Sequence, residues 1–362
     1  MHTSLASLDA KGTTSVTVSE SIQMQGRYSR QELFAGIGPA GQRKLSVAHV
    51  AIVGIGATGA AAAGLLARAG VGRLTLIDRD FVEPSNLQRQ VLFDEADARE
   101  ALPKAEAARR KLALQNSDIA VEARIADLTP GNIHELLAGA ELILDGTDNF
   151  ETRYLLNDYA VEQSPRVKGW IYAAAIGAYA ATMNILPGAT ACLACIFPKP
   201  PSGPVETCDT SGILNTAVNL AASLQVTEAL KILTGAEDSL RRTLFSIDLW
   251  SNDRSEINTS HPRAGCTVCG EKKFTHLAGE GRPHITLCGR NSVQIHEHAR
   301  AVDFAEMQVR LQPHGDVRYN GLALRFVRGQ HTITLFADGR AIVQGTADVA
   351  VARTLYARYI GS

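Results

Sequence analysis

The stretch VAHVAIVGIGATGAAAAGLLARA, residues 47–69, decides the fold. Val47–Val53 is a β-branched apolar run, and Ala57–Ala69 is rich in Ala and Leu. The first reads as a strand and the second as a helix. Between them lie Gly54 and Gly56, with Gly59 the third residue of the helical run. Glycines there let the chain turn sharply and let a phosphate or ribose come close to the backbone, and the amino end of the helix favours anions. No Asp, Glu, Lys or Arg occurs from Leu45 to Ala67, yet Ser46, His49, Thr58 and four glycines interrupt the segment. A buried strand–turn–helix accounts for this better than a membrane span.

Strand and helix signals continue to alternate beyond it. Leu74–Asp78, Ile119–Ala126 and Leu142–Asp145 read as strands, and Lys104–Asn116 and Gly131–Leu137 as helices. Alternation at this spacing predicts an α/β fold, a Rossmann-like, mostly parallel sheet with helices on both faces. Asp78 ends the second strand, where a carboxylate takes ribose hydroxyls. Asp145 ends a later strand, at the carboxyl edge where such sheets bind ligands. Val167–Leu186 adds strand-like sequence, Phe197–Asp209 is a Pro-rich crossover, and Ile213–Leu233 is a long apolar helix closed by Gly235. Arg242–Asp248 and Glu256–Thr259 are further strands.

The chain has 362 residues, 45% of them hydrophobic and 20% charged, with a formal net charge of −1. That is enough for two globular domains and gives no overall electrostatic case for nucleic acid or an acidic membrane. Residues 1–25 are Ser/Thr-rich with no apolar signal core and read as a disordered tail, so a soluble, cytoplasmic protein is expected. Residues 26–270 form the expected main domain and 271–284 a linker. Residues 285–362 form a small α+β domain, in which an Asp338-Gly339 turn joins alternating strands into a hairpin.

Two further runs choose the chemistry. In Ser85–Gln90, Asn86 and Arg89 follow Asp78 closely, and Lys104 opens the next helix after Pro103. An Arg fork and an Asn amide match phosphate oxygens, and Lys adds a point charge. Asp148 follows Asp145 by three residues just past a sheet edge, where a carboxylate can hold Mg²⁺ beside phosphates. Taken singly, Arg89 and Lys104 also fit solvated surface charges. Asp145 also fits a cap or turn residue. As a set they suit attack on an α-phosphate and are of little use to a dehydrogenase.

Cys192, Cys195, Cys266 and Cys269 make two Cys-x-x-Cys pairs, which suit a closed tetrahedral Zn²⁺ site; a redox disulfide is the rival reading. Cys208 lies in the Pro-rich crossover just before a helix and fits either a nucleophile or a buried thiol. Cys288 reads as a core residue rather than a catalyst.

Together, Arg27–Gln31, the Gly54 loop, Leu76–Asp80, Ser85–Gln90, Lys104, Asp145–Asn149 and the Cys pairs resemble the ThiF/MoeB/HesA family, prokaryotic relatives of ubiquitin-activating enzymes. The resemblance covers about residues 26–270. It implies ATP-dependent adenylation of the C-terminal glycine carboxylate of a small ubiquitin-fold carrier protein ending in Gly-Gly. Thiocarboxylate formation would follow, with a sulfur donor protein, for thiamine, molybdopterin or a related product. By motif, Asp78 resembles the ribose-binding acid. Asn86, Arg89 and Lys104 resemble the triphosphate set, and Asp148 the Mg²⁺ carboxylate. Asp80, Gln90, Asp145 and Asn149 are the neighbouring nucleotide-contact candidates. Arg30 resembles an arginine that reaches into the neighbouring subunit's site, which implies a homodimer; by itself it reads as a helix-face charge. Cys208 falls where sulfur-transfer members carry a thiol able to link to the carrier. An NAD-dependent oxidoreductase and a non-catalytic ubiquitin-like-protein-binding scaffold are the alternatives. The C-terminal hairpin and helix look like half of a TATA-binding-protein-type repeat, which implies a fold rather than DNA binding; no rhodanese-like cysteine loop is identifiable.

Overall fold

Strand β1 (His49–Val53) is the third strand from one edge of an eight-stranded sheet in a computed structural model of the chain. The structure describes residues 26–199, 211–279, 286–287, 292–295, 302–319, 321–336 and 339–361. With β2 (Arg73–Ile77), β3 (Ala120–Arg124), β4 (Leu142–Asp145), β5 (Gly169–Ile176), β6 (Tyr179–Ile185), β7 (Thr243–Asp248) and β8 (Arg254–Asn258), the order is β3-β2-β1-β4-β5-β6-β7-β8. The pairs from β3 to β5 are parallel and those from β5 to β8 antiparallel. Order reverses between β1 and β4, so a crevice opens past the carboxyl ends of those strands.

Two cores sandwich the sheet. The helices here are α1 (Ser29–Leu33), α2 (Gly38–Val47), α3 (Ala57–Ala69), α4 (Glu95–Arg99), α5 (Lys104–Gln115), α6 (Ile133–Leu136), α7 (Phe150–Glu162), α8 (Leu193–Ile196) and α9 (Asn215–Thr234). Leu66, Leu112, Val226 and Ile232 from α3, α5 and α9 pack on one face. Leu136, Leu155, Leu156 and the cysteines pack on the other. Helix α3 coincides with the sequence expectation because its small residues bury on nearly every side, and it ends where Gly70 takes φ +79°. Strand β4 coincides as well, and the other expected main-domain elements differ by a few residues at their ends; α9, for instance, starts at Asn215 rather than Ile213. Helices α1, α2, α4, α7 and α8 had no counterpart in the sequence reading. No helix among the described residues is long and apolar enough to cross a bilayer.

Residues 271–279, the first part of the expected linker, pack against α7. Asp158 of α7 accepts hydrogen bonds from the backbone N–H groups of His276 (2.9 Å) and Leu277 (3.3 Å), and the His276 ring stacks on Tyr154 at 4.8 Å. This part of the segment is therefore packed, not free. Beyond it, β9 (Thr286–Leu287), β10 (Ser292–Ile295), β11 (Asp316–Tyr319), β12 (Ala323–Arg328), β13 (His331–Phe336) and β14 (Ala341–Gln344) form an antiparallel sheet ordered β11-β12-β13-β14-β10-β9. Helices α10 (Phe304–Leu311) and α11 (Val349–Tyr359) share its core with Phe326, Leu335 and Val343. The Asp338 hairpin signal falls on a real β13–β14 pair, although Asp338 lies outside the described residues.

Candidate active site

The loops after β1 and β4 meet backbone to backbone. The Gly146 N–H donates to the Val53 carbonyl (2.8 Å). A Cβ on Gly146 would lie 2.2 Å from the Gly54 oxygen, and one on Gly59 only 1.8 Å from the same atom. Gly54 also holds φ +83°, which side chains rarely adopt. Glycine is thus required on both sides of the contact. The floor of the crevice is bare main chain leading into the amino end of α3, a surface suited to a ribose or phosphate.

Above this floor is a cavity of about 530 Å³, within the range of nucleotide and cofactor pockets. It gathers Gly54, Gly56, Asp78, Asp80, Arg89, Gln90, Lys104, Asp148 and Asn149 from five separate segments. Asp78 is fixed by two N–H donors, Ile55 and Asp80, each at 2.6 Å. Burial pushes its carboxyl above the usual range, against the pull of the Lys104 ammonium. Lys104 is 1% exposed, and its Nζ sits 3.3 Å from Asp80 Oδ2. Arg89 Nη1 donates to the Ser85 carbonyl (2.8 Å), leaving the rest of its fork at the pocket wall. Asp148 is exposed at the pocket, and Asn149 caps α7 by accepting from the Thr152 N–H (2.8 Å).

Three expected nucleotide contacts lie elsewhere. Asn86 is 2% exposed and is used locally: its Oδ1 accepts from the Glu83 N–H (3.1 Å), capping the turn Pro84–Asn86. Its amide shapes the loop that carries Arg89 and does not line the cavity. Asp145 is fully buried behind the wall, where Arg153 Nε donates to its Oδ2 at 2.8 Å. Gly59 forms the floor contact beneath the cavity. Arg30, on α1, is exposed and does not line the pocket of its own chain. Cys208 and Cys288 lie outside the described residues.

Arg153, Tyr172 and Gln225 escaped the sequence reading. Arg153 also donates to the carbonyls of Thr147 (2.7 Å) and Ala173 (2.9 Å), with its guanidinium 4.8 Å from the Tyr172 ring. Asp145 Oδ1 accepts from the N–H and hydroxyl of Thr147. Gln225 of α9 donates to the carbonyls of Asp145 (2.9 Å) and Ile171 (2.7 Å). These bonds hold the 145–149 loop, and with it Asp148, against the sheet. An Arg at the eighth position after Asp145, directly before the apolar Tyr154, Leu155 and Leu156, was the available signal.

The four cysteines meet on the opposite core face, their sulfurs all within 4.8 Å of one another. Cys192 lies 3.7 Å from Cys195 and 3.6 Å from Cys266, and Cys195 lies 3.5 Å from Cys269. These spacings are far beyond a disulfide bond, and zinc–sulfur bonds of about 2.3 Å would separate tetrahedral sulfurs by roughly 3.8 Å. Hydrogen bonding with Cys192 holds the Cys195 thiol down at about 4, while burial pushes Cys269 up to about 12. A divalent cation is what allows four thiolates to share such a space. The donor set fits a closed structural Zn²⁺ site.

Comparisons with known proteins agree with this geometry. The model of the ThiF family matches residues 28–268. The sulfur carrier protein ThiS adenylyltransferase of Bacillus subtilis is 44% identical over 342 residues, spanning 93% of this chain and 100% of that protein. The SAMP-activating enzyme E1 of Haloferax volcanii is 36% identical, covering 71% of this chain and 93% of its own. Among solved structures, Escherichia coli MccB with ATP superposes with a TM-score of 0.58 at 26% identity, over 67% of this chain and 74% of MccB. A glycine floor at the β1–β4 switch point, the cations and carboxylates above it and a match across two thirds of the sequence converge: this chain belongs to the ThiF family.

Proposed function

We propose that this protein adenylates the C-terminal glycine carboxylate of a small ubiquitin-fold sulfur carrier, using ATP. The observation that carries this reading is the convergence of Arg89, Lys104 and Asp148 with Asp78 around one cavity on the glycine floor. An oxygen of the carrier carboxylate attacks the α-phosphorus. The bond from that phosphorus to the oxygen bridging to the β-phosphate breaks, and pyrophosphate leaves. Asp78 takes the ribose, and the glycine floor carries the phosphates. Lys104 and Arg89 face the charge that develops on the phosphate oxygens and arrive already held, by Asp80 and by the Ser85 carbonyl. Asp148 is the residue that would hold Mg²⁺, which when bound neutralises phosphate charge.

The same reading includes a homodimer in which Arg30 serves the neighbouring site; Leu33 and Phe34 beside it are 75% and 64% exposed, as a partner surface requires. It includes thiocarboxylate formation with Cys208 as the sulfur-transfer thiol and Zn²⁺ at the four cysteines. It divides the chain into an adenylation domain over residues 26–270 and a small domain from 285. The test is ATP–pyrophosphate exchange with the ThiS carrier of Bacillus subtilis as probe. Asp148→Asn and Arg89→Ala are expected to lower exchange by at least about 100-fold, the scale of losing a charge-stabilising group. Wild-type rates in both variants would refute the site.

A further inference from the structure

Among the described residues, the C-terminal sheet touches the main domain beside two loops that wall one end of the pocket. Phe336 of β13, Ala323 of β12 and Ile342 of β14 form an apolar cluster with Phe81 and Ile125. The Phe81 and Phe336 rings lie 5.9 Å apart at 37°. Arg340, 3% exposed, lies 4.1 Å over the Phe336 ring and donates to the Ile125 carbonyl at 3.5 Å. Gln344 Nε2 donates to Glu83 Oε1 at 3.4 Å.

Each residue contacted is one step from the site. Phe81 follows Asp80 and bridges to Pro103, the residue before Lys104. The Lys104 N–H donates to the Asp80 carbonyl and the Val82 N–H to the Leu102 carbonyl, both at 2.8 Å. The two short segments that carry the Asp80–Lys104 ion pair are thus clamped together, with the Phe81 ring on their outer side against the C-terminal sheet. Glu83 caps the turn whose Ser85 carbonyl receives Arg89. Ile125 precedes Ala126, Asp127 and Leu128 of the cavity wall. A surface that fixes Phe81, Glu83 and Ile125 therefore limits where Lys104 and Arg89 can lie.

We propose that the C-terminal sheet is a positioning element for the triphosphate end of the pocket, acting through the Phe81–Phe336 contact and the Gln344–Glu83 bond. Nucleotide binding and seating of the sheet are then coupled, and the coupling is reciprocal. The inference rests on the ATP-site reading above.

The experiment uses the full chain and Mg²⁺ with α,β-methylene ATP, so no carrier is required. Phe336→Ala and, from the opposite side of the contact, Phe81→Ala are expected to weaken binding about tenfold, within the usual range of allosteric coupling. Phe336→Leu, which keeps an apolar filler, should recover most of the loss. In hydrogen exchange, the nucleotide should slow the amides of residues 331–336 and 341–344 in the wild type and fail to do so in Phe81→Ala. That second readout separates coupling from damage to the C-terminal sheet, because Phe81 lies outside it. Unchanged affinity in Phe81→Ala, or no nucleotide effect on those amides in the wild type, overturns the proposal. If instead Arg89→Ala and Asp148→Asn leave nucleotide binding intact, the site reading fails and takes the inference with it.

Discussion

Arg153→Met removes the cation that neutralises Asp145. Both partners are shielded, with side-chain exposures of 6% and 0%, so water cannot replace the guanidinium. Stranding a buried carboxylate costs about 3–5 kcal/mol. The Thr147 and Ala173 carbonyls lose a charged donor as well, adding about 1–3 kcal/mol each before relaxation. The sum approaches the whole stability of an ordinary domain, roughly 5–15 kcal/mol. Arg153→Met should therefore be barely folded at room temperature. Asp145→Asn/Arg153→Met should be more stable than Arg153→Met alone by at least about 2 kcal/mol, since no charge is then left unpaired and Asn can still accept from Thr147. Urea titration followed through the buried Trp170 measures both. A single variant within about 1 kcal/mol of wild type, or a double variant no more stable than the single, would refute the assignment of this pair as the clamp of the 145–149 loop.

Protein purified without added metal should carry about one zinc per chain by elemental analysis, and Cys195→Ser should lower both zinc content and thermal midpoint; zinc-free wild type with the same midpoint counts against the site. Lys104→Met keeps the buried volume but leaves Asp78 and Asp80 facing each other without their ammonium. The chain should fold, and its pyrophosphate exchange should fall by about 100-fold; a loss of less than about threefold would remove Lys104 from the phosphate set. Asp158 has its carboxyl pushed up to about 6 by burial. Because the folded value exceeds the ordinary one, its favourable contribution is present below about pH 4 and is lost as pH rises through about 6. Asp158→Asn should thus gain on wild type in urea midpoint between pH 4 and 7, and parallel profiles for the two proteins would contradict this.

The parallel half of the sheet, beneath the cavity, was legible because its signals are local. Residues 47–69 change from β-branched to Ala-rich across a glycine turn, and the Asp78 and Asp145 strand ends follow the same grammar. Helix α7 was not legible: Arg153, Asn157 and Asp158 are all buried in it beside Tyr154 and Leu155, so no polar face marks a helical period. Strand direction from β5 to β8 was likewise hidden, since an apolar run does not state which way its neighbour runs; the two-residue link between Ile176 and Tyr179 sets it. Asn86 shows the limit of reading residue type as role. Its amide was expected to donate to phosphate; in the structure its Oδ1 accepts from the Glu83 N–H beside a Pro turn and the residue does not line the cavity. Asp145 takes the turn role its sequence also allowed, but its partner eight residues on was invisible to a count of nearby charges.

The cysteine cluster sets a boundary within the molecule. Cys192 and Cys266 are 74 residues apart, and α9, β7 and β8 all lie between them. Closing that loop removes the freedom its unfolded chain would otherwise gain, by the same reckoning as for a crosslink. The benefit falls on the antiparallel edge, where β8 is exposed along its length, and hardly at all on β1 to β4, whose cohesion comes from parallel pairing and helices on both faces. With Zn²⁺ at the four cysteines the molecule would have two fastenings of different kinds, and metal loss would then fray the far edge of the sheet while the glycine floor stays assembled.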